Sequence, residues 1–187
     1  MMVTNCIRCS DQVLATTELS PGLKADSCAQ CHGSWLAMEG WRSWRARRQL
    51  VGKPEPVVVG GEDVAAEVAQ AAACPHCQRL MNRLRVAAGL PFRLDHCAAC
   101  QHVWLDGNEW AALSQYGYDG VLDEVVSAQW QRRVREAEAV AHRESAWRSR
   151  LGEAVYQEAV RLRQWLDSQP NRAELLAYLS RDDSKNH

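Results

Sequence analysis

Eight cysteines stand in four Cys-x-x-Cys pairs, Cys6/Cys9, Cys28/Cys31, Cys74/Cys77 and Cys97/Cys100, and they account for every cysteine in the 187 residues. Each pair can present two thiolates to one ion, and two pairs complete the tetrahedral four-sulfur shell that Zn²⁺ favours. The first two pairs are separated by 18 residues and the last two by 19, a spacing expected of zinc sites. One Zn²⁺ is therefore expected on Cys6, Cys9, Cys28 and Cys31, and a second on Cys74, Cys77, Cys97 and Cys100. Iron is the alternative ion, since four thiolates in such knuckles also hold it. A shell closed by four sulfurs leaves no position for water or substrate, so both sites read as structural and the chain as non-enzymatic.

Cys74-Pro75-His76-Cys77 matches the active-site tetrapeptide of some thioredoxin-fold oxidants. That chemistry needs a thiol at a helix start, whereas here another cysteine pair follows downstream. His32, His76, His96 and His102 flank the cysteines and read as neighbours of the ion rather than ligands.

Residues 28–36 align with residues 97–105 at a constant offset of 69, so the chain carries a diverged internal repeat. The pattern of a cysteine pair, a loop and Cys-x-x-Cys-x-Gly-x-Trp-Leu-Asp-x-Gly-Glu-Leu resembles the TFIIB-type zinc ribbon domains of many small bacterial proteins. The second copy keeps Trp104, Leu105, Asp106 and Glu109, with His102 and Asn108 where the pattern has glycines. The first keeps Gly33, Trp35 and Leu36 and departs at Ala37, Glu39 and Gly40. The resemblance implies ribbon folds, zinc and use as an interaction module.

The elements that must hold these sulfurs make a small α+β fold: two four-cysteine zinc ribbons, each a β-hairpin plus a short helix, followed by a long C-terminal helical region. In the first ribbon (residues 1–51), strands are expected at 13–17 and 22–26 around Ser20-Pro21-Gly22, with Trp35 covering the sulfurs. A helix over residues 36–50 then places Leu36, Trp41, Trp44 and Leu50 near one face. Residues 52–73 read as a linker, with acidic side chains able to pair with that helix. The second ribbon (74–118) repeats the plan with strands at 80–86 and 92–96, and Asp106 is expected to cap a helix over 107–116. Residues 119–180 read as helical, with an apolar stripe of period 3.6 from Val126 to Leu166. Gly152 is a break point, because glycine costs about 1 kcal/mol relative to alanine inside a helix. A last helix spans 172–179, and the tail, 181–187, is expected to be disordered.

Net charge is −1, so no chain-wide field favours nucleic acid or a membrane surface. Residues 1–53 alone are basic, with net charge +3. Arg42, Trp44, Arg45, Arg47 and Arg48 form a candidate nucleic-acid surface in which aromatics stack on bases and arginines reach phosphates; the plain alternative is a solvated helix face over buried tryptophans. The leading expectation is a protein-interaction or transcription-related adaptor, with the stripe of the C-terminal helix packed on the ribbons of the same chain and homodimerisation or a protein partner as its alternative uses. A zinc-thiolate redox sensor or holdase is the third alternative. The five residues before Cys6 leave no room for an export signal and no apolar run reaches membrane-span length. A cytoplasmic location is expected, where paired cysteines bind metal more often than they form disulfides.

Overall fold

The computed structural model describes residues 4–48, 55–56 and 72–181 and divides into two compact units, Met1–Glu138 and Ala139–His187. In the first unit, β1 (Ala15–Ser20) and β2 (Leu23–Ser27) form a hairpin, followed by β3 (Ser34–Ala37) and helix α1 (Met38–Arg48). The second half repeats that order with β4 (Asn82–Arg85), β5 (Arg93–Cys97), β6 (His102–Leu105) and α2 (Glu109–Gln115). Helix α3 (Leu122–Val125) and the start of α4 (Ala128–Leu151) complete the unit. Both hairpins match the expectation, with ends displaced by one to three residues.

The two repeats are halves of one antiparallel sheet, in the order β1-β2-β3-β6-β5-β4. Its middle is the β3–β6 pair, in which Trp35 lies opposite Trp104 and Leu36 opposite Val103. Trp35 and Trp104 are also repeat equivalents, so a local two-fold axis runs through this pair. The register obeys it: Asp26↔Trp35 and Ser27↔Ser34 in one half correspond to Asp95↔Trp104 and His96↔Val103 in the other. The repeat thus folds as an internal dimer.

β3 and β6 lie where the sequence reading has only a cover for the sulfurs and a helix start. Both strands are buried on both faces, so neither shows the alternation that marks a half-exposed strand. Leu36 accordingly belongs to β3 rather than to α1, and Leu50 lies outside the described residues.

The sheet separates two apolar clusters. Leu23, Ala25, Leu36, Leu94, Val103 and Leu105 face the helices, meeting Met38, Trp41, Trp44, Trp110, Leu113 and Trp130. Trp35 and Trp104 point the other way, among Cys6, Cys28, Cys74, Cys97 and Met81. Four buried indoles on the helix side find acceptors, and two of these bonds cross between the halves. Trp110 Nε1 donates to Ser20 Oγ (3.0 Å) and Trp41 Nε1 to the Asp119 carbonyl (2.7 Å), while Trp44 reaches the Pro21 carbonyl (3.2 Å) and Trp130 the Val86 carbonyl (2.7 Å). Such pairing lets a large aromatic bury without stranding its polar atom.

Of the acidic residues in the expected linker, Glu55 alone is described, and it pairs with Arg133 of α4 rather than with α1. Residues 57–71 of the expected linker, and the tail beyond Arg181, lie outside the described residues. Val126, Trp130 and Val134 of the apolar stripe pack into the first unit.

In the second unit, Gly152 at φ 74° separates α4 from α5 (Glu153–Asp167), and α6 (Arg172–Leu179) follows. An L side chain is strained at that backbone angle, which is why the break falls on glycine. The chain folds back there, so that Glu144 of α4 accepts hydrogen bonds from Tyr156 Oη (2.5 Å) and Arg163 (3.4 Å) of α5. No described helix is long and apolar enough to cross a membrane.

Candidate metal centres

Four knuckles repeat one backbone design. The residue after the second cysteine, Ser10, His32, Gln78 or Gln101, sits in the left-handed region at φ 50°, 58°, 60° and 54°. Its N–H donates to the carbonyl of the first cysteine, at 3.0, 3.0, 2.9 and 2.8 Å respectively. Non-glycine residues there cost about 1 kcal/mol or more each and persist only where the surroundings over-determine them. The turn brings both thiols of a pair to one side, and each hairpin carries the next knuckle back to meet them.

All eight cysteines are free thiols. Within each predicted set, Cys6/Cys9/Cys28/Cys31 and Cys74/Cys77/Cys97/Cys100, the four Sγ atoms lie within 4.8 Å of one another. The Sγ atoms stand 3.5 Å apart in Cys6–Cys31, 3.6 Å in Cys77–Cys97 and 3.8 Å in Cys74–Cys100. A tetrahedron with Zn–S bonds of roughly 2.3 Å has edges of roughly 3.8 Å, so the sulfurs already stand at the separation that Zn²⁺ imposes. Among the described residues these are the two groups of three or more His, Cys, Asp or Glu whose ligand atoms converge in this way.

The electrostatics ask for a cation. Burial opposes ionisation of Cys28, but the N–H groups of Cys31 and Gln30 and the nearby sulfurs outweigh it and bring that thiol down to about 7. The Arg79 N–H, against burial and together with the other sulfurs, does the same for Cys77, also to about 7. Their neighbours move the opposite way: burial pushes Cys31 up, and the Cys77 sulfur pushes Cys100 up to about 12. Four thiols this close cannot all ionise alone, and a divalent ion removes the conflict. Amide N–H groups of Arg8 and Cys9 donate to the Cys6 sulfur (3.4 and 3.3 Å), and that of Cys100 to the Cys97 sulfur (3.4 Å).

The two centres share a sheet face but not their surroundings. Beside Trp104, Arg8 from the first knuckle crosses to the second copy. It donates through Nε and Nη2 to Asp106 (2.9 Å each) and through Nη2 to Asp95 (2.8 Å). Asp106 also accepts the Trp104 indole N–H (2.7 Å), and its own N–H donates to Glu109 Oε2 (2.8 Å). Asp106 therefore does not cap α2: Arg8 and Trp104 occupy its carboxylate, and Asn108, left-handed at φ 71°, is the residue before the helix. That conformation suits the glycine of the ribbon pattern and, next best, asparagine. Burial raises the Glu109 carboxyl to about 8.

Beside Trp35 only Asp26, at the position of Asp95, is kept of these polar groups. Ala37 stands at the position of Asp106, Gly40 at that of Glu109, and His76 at that of Arg8. Trp35 Nε1 is buried without a hydrogen-bond partner, and its ring stacks on His102 (centroids 5.1 Å) with His76 edge-on (5.6 Å). His102 replaces a pattern glycine here, whereas its equivalent, Gly33, must remain glycine because a Cβ there would overlap the Trp104 ring. His96 is buried and His32 exposed.

The arginines and tryptophans of α1 are engaged within the protein. Trp44 and Trp41 are 1% and 0% exposed, which takes both rings out of reach of a stacking base. Arg42 pairs with Asp123 (2.7 Å) and Arg45 with Glu124 (3.6 Å), Arg47 donates to the Gly22 carbonyl, and Arg48 lies over Trp44. Sequence reasoning missed Arg8, Asp95 and the β3–β6 seam. The sole signal for the seam was the offset of 69, which continues past Leu105 to place Trp110 on Trp41. Comparisons with protein-family models, with curated proteins and with solved structures found no match to this chain.

Proposed function

We propose that this chain is a non-enzymatic zinc protein in which two structural Zn²⁺ ions brace a pair of TFIIB-type ribbons, and that it serves as a protein-interaction adaptor. The observation that carries this reading is the convergence of eight free thiols, four by four, on one face of a sheet whose other face is filled by helices. Cys6, Cys9, Cys28 and Cys31 would hold one ion, and Cys74, Cys77, Cys97 and Cys100 the other. Bound Zn²⁺ supplies cross-linking and charge neutralisation, and four thiolates leave it no site for a substrate. Reduced thiols of this density suit the cytoplasm.

Zinc binding would then be folding free energy. Chelation should release both ions and unfold the first unit, as read by metal analysis and near-ultraviolet circular dichroism. Metal-free protein with intact tertiary structure would overturn the structural role. Affinity capture on the zinc-loaded chain should retain a protein that is lost on chelation, and failure to retain one counts against the adaptor role.

A further inference from the structure

The unit Ala139–His187 has almost no interior of its own. Among its described residues the buried hydrophobics are Tyr156 and Leu166, whereas Val140, Trp147, Leu151, Val155, Leu162, Trp165, Tyr178 and Leu179 are 39–69% exposed. Helices of this length are marginal in water without a packed face, and contiguous apolar patches beyond a few hundred Å² mark interaction surfaces. Between the end of α4 and α5 lies a cleft of about 260 Å³, lined by Trp147, Leu151, Tyr156, Ala159 and Val160, with Glu144 and Arg163 at its edge.

We propose that this hairpin is a dimerisation element that pairs with the same hairpin of a second copy to form a four-helix bundle. The hairpin carries both halves of such a contact. Val155 and Leu162, seven residues apart and 57% and 50% exposed, form a ridge on α5. The ridge stands roughly 100° around the helix from the face that lines the cleft. A two-fold axis therefore places each copy's ridge at the other's cleft, which is the self-complementarity an isologous interface requires.

Charge is settled within this unit, where Glu153, Glu158 and Asp167 pair with Arg148, Arg161 and Arg172 of the same chain, so apolar area drives the contact. Six large apolar side chains of α4 and α5 at about half exposure offer on the order of 500 Å², most of the roughly 600–800 Å² that each partner contributes to an interface at the lower end of the standard range. Self-association of this kind goes beyond the adaptor role and does not depend on the cysteines.

Sedimentation velocity of the zinc-loaded full-length chain should show a species of twice the 21.0 kDa chain mass at micromolar concentration. Leu162→Glu and, separately, Val155→Glu should each weaken self-association on the order of 100-fold, with zinc content and helical circular dichroism unchanged. Both side chains are at least half exposed in the single hairpin, so charge there leaves its fold intact. A wild-type chain that is monomeric throughout that range, or a dimer that both substitutions leave intact, would overturn the proposal. Neither result would alter the zinc count, which keeps this test separate from that of the metal sites.

Discussion

Trp35 and Trp104 occupy equivalent positions, face each other across the β3–β6 seam and are both buried. Yet the indole N–H of Trp104 donates to Asp106, whereas that of Trp35 has no partner. The difference follows from three divergent positions, Ala37, Gly40 and His76, opposite Asp106, Glu109 and Arg8. The duplicated sequence has kept the sulfurs and the seam tryptophans alike and let the polar groups around those tryptophans drift. An ion that takes four thiolates tolerates no change of ligand, while the layer above it needs only to fill space and satisfy its own polar groups. Arg8 shows what the drift achieves. It leaves the first knuckle to bind two carboxylates of the second copy, so each half now completes the other and neither is interchangeable with it.

The largest effect expected from breaking this arrangement is at the ligands. Cys28→Ser or Cys97→Ser should lose one ion, with a loss on the order of 10 kcal/mol, comparable to the whole stability of a domain. Because β3 and β6 pair, both halves of the sheet should unfold together, as read by circular dichroism with metal analysis. A half that melts alone would break the single-sheet description.

Next comes the asymmetric pair. Arg8→Ala leaves Asp106 without its cation and Asp95, 2% exposed, with Arg83 alone at 3.5 Å, and removing one partner of a buried pair costs up to about 3–5 kcal/mol. His76→Ala, at the equivalent position, removes an exposed ring and should cost under about 1 kcal/mol. Denaturant midpoints of the two zinc-loaded variants measure the contrast, and equal losses would contradict it.

Glu109 sharpens the same point through pH. Burial keeps its carboxyl protonated up to about pH 8 in the folded chain, against an ordinary value of 4.5. The folded state then holds a proton that the unfolded state has released, so stability falls as pH rises through that window, by up to about 1.4 kcal/mol per unit. Glu109→Gln should flatten the decline between about pH 6 and 8, a range in which the thiolates keep their metal. A variant with the wild-type slope would show that Glu109 is not the source.

The smallest effect separates the two tryptophans. Trp104→Phe breaks the bond to Asp106, whereas Trp35→Phe deletes a donor that has no acceptor. The first should cost about 1 kcal/mol more than the second in thermal or urea unfolding. A larger loss at Trp35 would mean that its N–H is satisfied after all.

What could be read from the sequence was whatever a local rule dictates. Zinc sets the spacing of its ligands within a few residues, so all eight cysteines and both hairpin turns were evident, and glycine's helix cost marked the break at Gly152. The seam was hidden because Ser34 to Ala37 and His102 to Leu105 are covered on both faces and show no alternation. Asp106 resembled a helix cap because aspartate before an apolar run usually is one. Its partner Arg8 lies 98 residues away, beyond any local pattern. The aromatic and basic helix α1 looked available for stacking until the sheet beneath Trp41 and Trp44 was in view.

The central claim is tested most directly by zinc-edge X-ray absorption, with elemental analysis, on protein purified without added metal. The account predicts two zinc ions per chain, each ringed by four sulfurs at about 2.3 Å. A single ion, an iron-red protein, nitrogen or oxygen in either shell, or cysteines joined as disulfides would contradict it.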